Sequence, residues 1–199
     1  IIGLFLNTKS SFHVYVIAIL GALYLGLVNL TKIPESDLIF YLDAFNQAKV
    51  LNLTEYFIVH TREPLYSALV YIMGNINFLN DRHFLIASTF IPYVIFLVSV
   101  VRLCLHLNMR NRSIIALVVL LLFFPQIFNL SAHLIRQFIS SSICIYVIVQ
   151  YLTTGKVSVL LAIAAFFIHF FVASFFFLVV MLKFSYSKRI SASLALISS

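Results

Sequence analysis

The chain has 199 residues, 63% of them hydrophobic and only 10% charged, with a mean hydropathy of +1.10. Soluble domains carry about 25% charged residues, so this composition excludes a water-soluble globule and predicts an all-α, polytopic transmembrane helix bundle. The formal net charge of +7 would point to nucleic acid in a soluble chain, but here the basic residues are scattered at most three per polar break, with no basic tract, repeat or low-complexity tail; no nucleic-acid partner is expected.

A spanning helix needs roughly 20 mostly apolar residues. Such runs fall at about 11–30, 64–80, 84–107, 112–130, 135–153 and 157–182, with another beginning near Ile190. The first run lacks an A-x-A-like cleavage site before the next polar loop, so it reads as a retained helix rather than a signal peptide. The chain opens "IIGLFL" without Met and ends "SASLALISS" inside a new apolar run. Residues 1–199 therefore read as a single transmembrane domain, the N-terminal part of a longer chain.

The longest polar interruption, residues 31–63, holds five of the six acidic residues: Glu35, Asp37, Asp43, Glu55 and Glu63. Within it "PESDLIFYLDAFNQAKV" predicts a short helix started by Pro34 and capped by Ser36. Leu38, Tyr41, Leu42 and Phe45 follow the helical apolar pattern while Asp43, Asn46 and Gln47 take the other face, as in an amphipathic helix lying in the membrane interface. Asp37 and Tyr41 are one turn apart. Asp37 would hold a carboxylate at fixed depth, or simply satisfy the positive end of a helix dipole. The loop closes with "HTREPLYSALVYIMG", where Pro64 suits a first helical turn and Glu63 suits the residue before it.

In "SAHLIRQFISSSICIYVIVQYL" the sequence predicts a helix from roughly His133 to Leu152. Arg136, Ser140 and Cys144 recur at i, i+4 and make one face small and polar. Such a face packs helices closely, and an Arg at a helix end can also snorkel to the headgroups. The next run carries His169 in its middle. Its roughly 26 residues span about 39 Å, more than the hydrocarbon thickness of about 30 Å, so that helix tilts, protrudes or breaks close to His169. An ionisable group at that depth is costly and points to function. The remaining histidines show no paired metal spacing, and no phosphate loop or nucleophile elbow is present. Cys104 and Cys144 read as packing residues. Neither a metal nor a cofactor is expected.

Arg136 and His169 are donors; Asp37, Asp43 and Glu63 are acceptors or bases. A carboxylate that activates a hydroxyl, beside cations that stabilise a departing phosphate, suits group transfer from a lipid-linked phosphate.

Four pieces in order resemble the EpsG family of bacterial exopolysaccharide-synthesis membrane proteins, related to Wzy-type polysaccharide polymerases. They are "DLIFY", "REPLYSALVYIMGNI", "FNLSAHLIRQFISSSICIYVIVQYLTTGK" and "LLAIAAFFIHFFVAS". The chain departs from the family pattern at Ser36, where a Gly-x-Asp is usual, at Lys32, where an Arg is usual, and at Phe170 and Phe171, where a Ser or Thr follows the His. The resemblance implies a GT-C-like architecture in the bacterial inner membrane and polymerisation of polyprenyl-diphosphate-linked oligosaccharide repeat units at its outer face. It also implies membrane lipid and other polysaccharide-assembly membrane proteins as partners. Asp37 or Glu63 would handle the acceptor hydroxyl, Arg136 and His169 would bind the diphosphate, and Tyr41, Gln137 and His133 would support them. A transporter or flippase of lipid-linked saccharides would need the cations without the base, and a non-catalytic component of an export complex would need neither.

Topology constrains all of this. If every apolar run crosses, Arg136 lies on the face opposite the acidic loop. A common site requires one run, either 64–80 or the stretch around Pro125, to be re-entrant or too short to span.

Overall fold

A computed structural model describes residues 11–31 and 37–170, and these are helical with no strand among them. In chain order the helices are α1 (Phe12–Val28), α2 (Asp37–Gln47), α3 (Leu53–Val59), α4 (Pro64–Gly74), α5 (Asp81–His106), α6 (Asn111–Leu122), α7 (Pro125–His133), α8 (Ile135–Thr154) and α9 (Val159–Ile168). Three are long and apolar enough to cross a membrane: α1 with its 3-10 extension to Thr31, α5 and α8. The bent pair α6–α7 makes a fourth if taken as one span.

The centre of the bundle is α5, which packs against α1 on one side and α8 on the other. Between membrane helices the hydrophobic effect gives little, so close approach and hydrogen bonds must hold them. The α1 face toward α5 is accordingly small: Ala18, Ala22 and Gly26 recur every fourth residue and are buried. A Cβ on Gly26 would sit 3.2 Å from the Ile86 carbonyl oxygen, a tight approach that glycine makes without displacing either backbone. At the end of the stripe the buried Asn29 donates from Nδ2 to Thr89 Oγ1 at 2.9 Å and to the Leu85 carbonyl at 3.3 Å. Asn29 beside Leu85, with Val14 in one apolar cluster with Val101 and Cys104, makes α1 and α5 antiparallel.

The expected start of α5 moves from residue 84 back to Asp81. Asn80 accepts from the His83 backbone N–H while the His83 ring accepts from Asn80 N–H, a reciprocal cap that satisfies two otherwise orphaned donors. The acidic Asp81 in that first turn suits the helix dipole and pairs with Lys49 at 3.3 Å.

Four breaks shape the rest. The run at 64–80 yields only the 11 residues of α4, about 16 Å of helix, too short to cross about 30 Å. A 53° bend separates α6 from α7, where Pro125 opens the new helix. The helix expected from His133 begins at Ile135 instead, because Leu134 leaves helical geometry (φ −117°, ψ 54°) and ends α7. The long run carrying His169 breaks at that residue: α9 stops at Ile168 and His169 is extended (φ −157°, ψ 113°). The second half of that run, the run near Ile190, and the Pro34 and Ser36 start of α2 lie outside the described residues.

Because α4 does not cross, the end of α1 and the start of α5 lie at one end of the bundle. A second apolar cluster gathers there, built from Leu38, Tyr41 and Phe45 of α2, Tyr56 of α3, Tyr66 and Val70 of α4, Phe84 of α5, Ile135 of α8 and Ile168 of α9. It contains the first turn of α4 through Tyr66, the first residue of α8 and the last of α9.

Candidate functional site

The path to the site starts with Gly155. Its left-handed conformation (φ 70°) closes α8 and turns the chain into α9, which packs back along α8. The small polar face of α8 is the one that meets α9: Ser140 Oγ donates to the Ala165 carbonyl at 2.6 Å, and Cys144 packs in a buried cluster with Ala165. In antiparallel helices, moving four residues back from Ser140 corresponds to moving four forward from Ala165. That register sets Arg136 opposite His169.

Glu63 lies between them. It is the N-cap residue of α4, followed by Pro64 at the first helical position, yet its side chain makes no capping hydrogen bond. Instead its carboxylate turns into the bundle and is buried. Oε2 accepts from Arg136 Nη1 at 2.5 Å, and Oε1 pairs with His169 Nδ1. Tyr41 completes the group: its hydroxyl accepts from Arg136 Nε at 3.2 Å. The guanidinium carbon also lies 5.3 Å from the Tyr41 ring centre and 5.9 Å from that of Tyr66, within cation–π range. Three segments far apart in sequence thus meet through one carboxylate.

The electrostatics of this group favour an anion. Arg136 stands in the first turn of α8, where unpaired backbone N–H groups and the helix dipole already present positive charge, the wrong end for a cation by about 0.3–1 kcal/mol. One carboxylate is shared between a guanidinium and an imidazole ring, so an incoming anion would find two nitrogen groups already gathered at one point. The Arg136 side chain remains 33% exposed, so the group is not sealed.

It opens into a cavity of about 500 Å³. Glu63, Tyr66, Ser67, Tyr41 and Arg136 line one part; Phe40, Asp43 and Gln47 of α2, Tyr56 and Val59 of α3, and the loop residues His60, Thr61 and Arg62 line the rest. Burial pushes the Tyr41 phenol above its usual range despite the opposing pull of Arg136, raises Tyr66 well above the ordinary phenol value, and pushes Tyr56 up to about 12. All three remain protonated at neutral pH and serve as neutral hydroxyls. The Tyr66 hydroxyl is buried with no hydrogen-bond partner among the described residues.

Of the residues singled out in the sequence, Glu63, Arg136, His169 and Tyr41 come together. Asp37 stands one turn before Tyr41, and its charge raises the Tyr41 pKa slightly, but it does not line the cavity and makes no ion pair or hydrogen bond with the other three. Gln137 follows Arg136 on α8 and His133 ends α7; neither lines the cavity. Tyr66, Gln47 and His60 were not expected at the site. The only sequence signal for Tyr66 is its place three residues after Glu63, on the same face of a helix.

The chain matches the EpsG family over residues 14–199. No curated protein matches it, and no solved structure matches it.

Proposed function

The chain belongs to the EpsG family, a polysaccharide polymerase-like family with a role in exopolysaccharide synthesis, and from that premise we propose that it joins polyprenyl-diphosphate-linked oligosaccharide repeat units at the outer face of a bacterial inner membrane. The reading carries with it a GT-C-like architecture, with α2 as the amphipathic helix at the membrane surface. One observation supports it above the others: a buried carboxylate shared by Arg136 and His169 at a helix start, open to a polar cavity within an apolar bundle.

In the proposed reaction an acceptor hydroxyl oxygen bonds to the anomeric carbon of the lipid-linked chain. The bond from that carbon to the diphosphate oxygen breaks, and polyprenyl diphosphate leaves with the electron pair. Arg136 and His169 bind the leaving anion, which needs no protein proton to depart. As the diphosphate takes Arg136 and His169, the Glu63 carboxylate is released from them and accepts the hydroxyl proton. Asp37, at the start of α2 one turn before Tyr41 and outside the cavity lining, stays the second candidate carboxylate.

The test replaces the full-length protein in cells with Arg136→Ala, inserted at normal levels, and reads polymer length on gels. The expected outcome is loss of long chains by about 10²-fold or more, with single lipid-linked units accumulating on the outer face. Units accumulating on the inner face would make the protein a translocase, and unchanged polymer would overturn the phosphate-binding role of Arg136.

A further inference from the structure

The cavity has two chemically different halves, and the proposed diphosphate site uses only one. The inner half is cationic and aromatic. The outer half, on α2 and the loop after α3, carries Asp43, Arg62, Gln47 and His60 around Phe40, whose side chain is 71% exposed. Asp43 and Arg62 do not pair with each other.

This outer half is organised before any ligand arrives. His60 Nε2 and Gln47 Oε1 are 3.0 Å apart, which orients the amide and leaves its NH2 without an acceptor among the described residues. The His60 ring lies over Tyr56 with centres 4.5 Å apart, and its backbone carbonyl accepts from Ser67 Oγ at 2.9 Å. Burial pulls the His60 pKa below its usual 6.5, so at neutral pH it is an uncharged ring with one donor and one acceptor.

The ligand classes can be separated by this chemistry. A second phosphate would meet the Asp43 carboxylate. A lipid tail would bury an amide, an imidazole and two charges without partners, each at a cost. A pyranose ring fits: its vicinal hydroxyls both donate and accept, matching the two-atom ends of Asp43, Arg62 and Gln47, while its C–H face can lie on an exposed aromatic ring such as Phe40. The whole cavity, both halves together, measures about 500 Å³, within the usual ligand-site range of about 300–1,000 Å³.

We propose that Phe40, Asp43, Gln47, His60 and Arg62 form a saccharide subsite, which holds the acceptor sugar with its hydroxyl toward Glu63. The assignment of that sugar as the acceptor rests on the polymerase reading; the binding of a sugar ring does not require turnover.

The probe is a set of oligosaccharides released from the host's own exopolysaccharide by partial acid hydrolysis. They are added to the full-length protein in lipid nanodiscs, and binding is followed by saturation-transfer NMR and by titration. The expected result is saturable binding of the free oligosaccharide, weakened about tenfold in both Phe40→Ala and Gln47→Ala. Both positions are exposed, so both variants should unfold at the wild-type temperature, and Lys156→Ala at the far end should bind as wild type. No binding by the wild-type protein, or wild-type affinity in both cavity variants, overturns the subsite. The polymerase reading stands or falls separately on the Arg136→Ala gels, because a free oligosaccharide carries no diphosphate.

Discussion

Glu63 has both carboxylate oxygens committed, one to the Arg136 guanidinium and one to the His169 ring, inside a largely apolar shell, so removing its charge leaves the part-buried guanidinium without its counter-charge. Breaking a fully buried pair costs about 3–5 kcal/mol; Arg136 is a third exposed, and its coupling to Glu63 should fall lower, at about 1–3 kcal/mol. Unfolding of the reconstituted protein in a double-mutant cycle of Glu63→Gln and Arg136→Gln measures it. Glu63→Gln should destabilise more than Arg136→Gln, because one carboxylate serves two partners, Arg136 and His169, and the double variant should be more stable than the sum of the singles implies. Strict additivity would show that the pair is not coupled. The same commitment shapes the proposed chemistry: a carboxylate held by Arg136 and His169 has no free oxygen for a proton until an incoming diphosphate displaces it, which ties proton acceptance to the presence of the leaving group.

The elements hold this geometry through a few tight contacts, and the one between α2 and α4 sets the wall carrying Tyr41. A Cβ added at Gly74 would lie 2.6 Å from the Ala48 Cβ and 3.0 Å from the Phe45 carbonyl oxygen, so the helices must separate to admit it. Gly74→Ala should therefore cost about 1–3 kcal/mol, seen as a lower unfolding temperature, and should shorten polymer by moving Tyr41 off Arg136. Adding Ala48→Gly should restore part of both, and no recovery would place the defect elsewhere. Contacts of this kind explain what could be read from the chain and what could not. Arg136 and His169 were legible because an ionisable group in an apolar run is expensive and needs a reason. Glu63 and Asp37 looked alike, each a carboxylate at a helix start, and only the packing of α4 against α9 turns one into the bundle and leaves the other outside the cavity. Gln137 and His133 are close to Arg136 in sequence, but a single helical step and the break at Leu134 carry them off the cavity lining. The break at His169 and a short 64–80 run were among the alternatives the sequence left open, but hydropathy could not choose between them or find the cap at Asn80, because helix ends depend on which backbone groups find partners.

At the scale of the whole molecule the decisive feature is that α4 fails to cross. With six crossings Arg136 and the acidic loop would be on opposite faces; with α4 as a short return at one end, the chain after α1, the start of α5 and the start of α8 share that end, and a direct Glu63–Arg136 pair becomes possible. The charges divide accordingly. The described acidic residues Asp37, Asp43, Glu55, Glu63 and Asp81 all belong to the site end, while the short turns at the other end carry Arg110, Arg112 and Lys156 with no acid among the described residues. Labelling single cysteines with a membrane-impermeant maleimide, in a background lacking Cys104 and Cys144, tests the arrangement directly. Asn52→Cys and Asn77→Cys flank α4 and should react from the same side; Asn108→Cys and Lys156→Cys should react only from the other. If positions 52 and 77 respond from opposite sides, α4 spans and the common site is lost. If they respond together in intact cells, the cavity opens outward, onto the face where completed lipid-linked units would be joined.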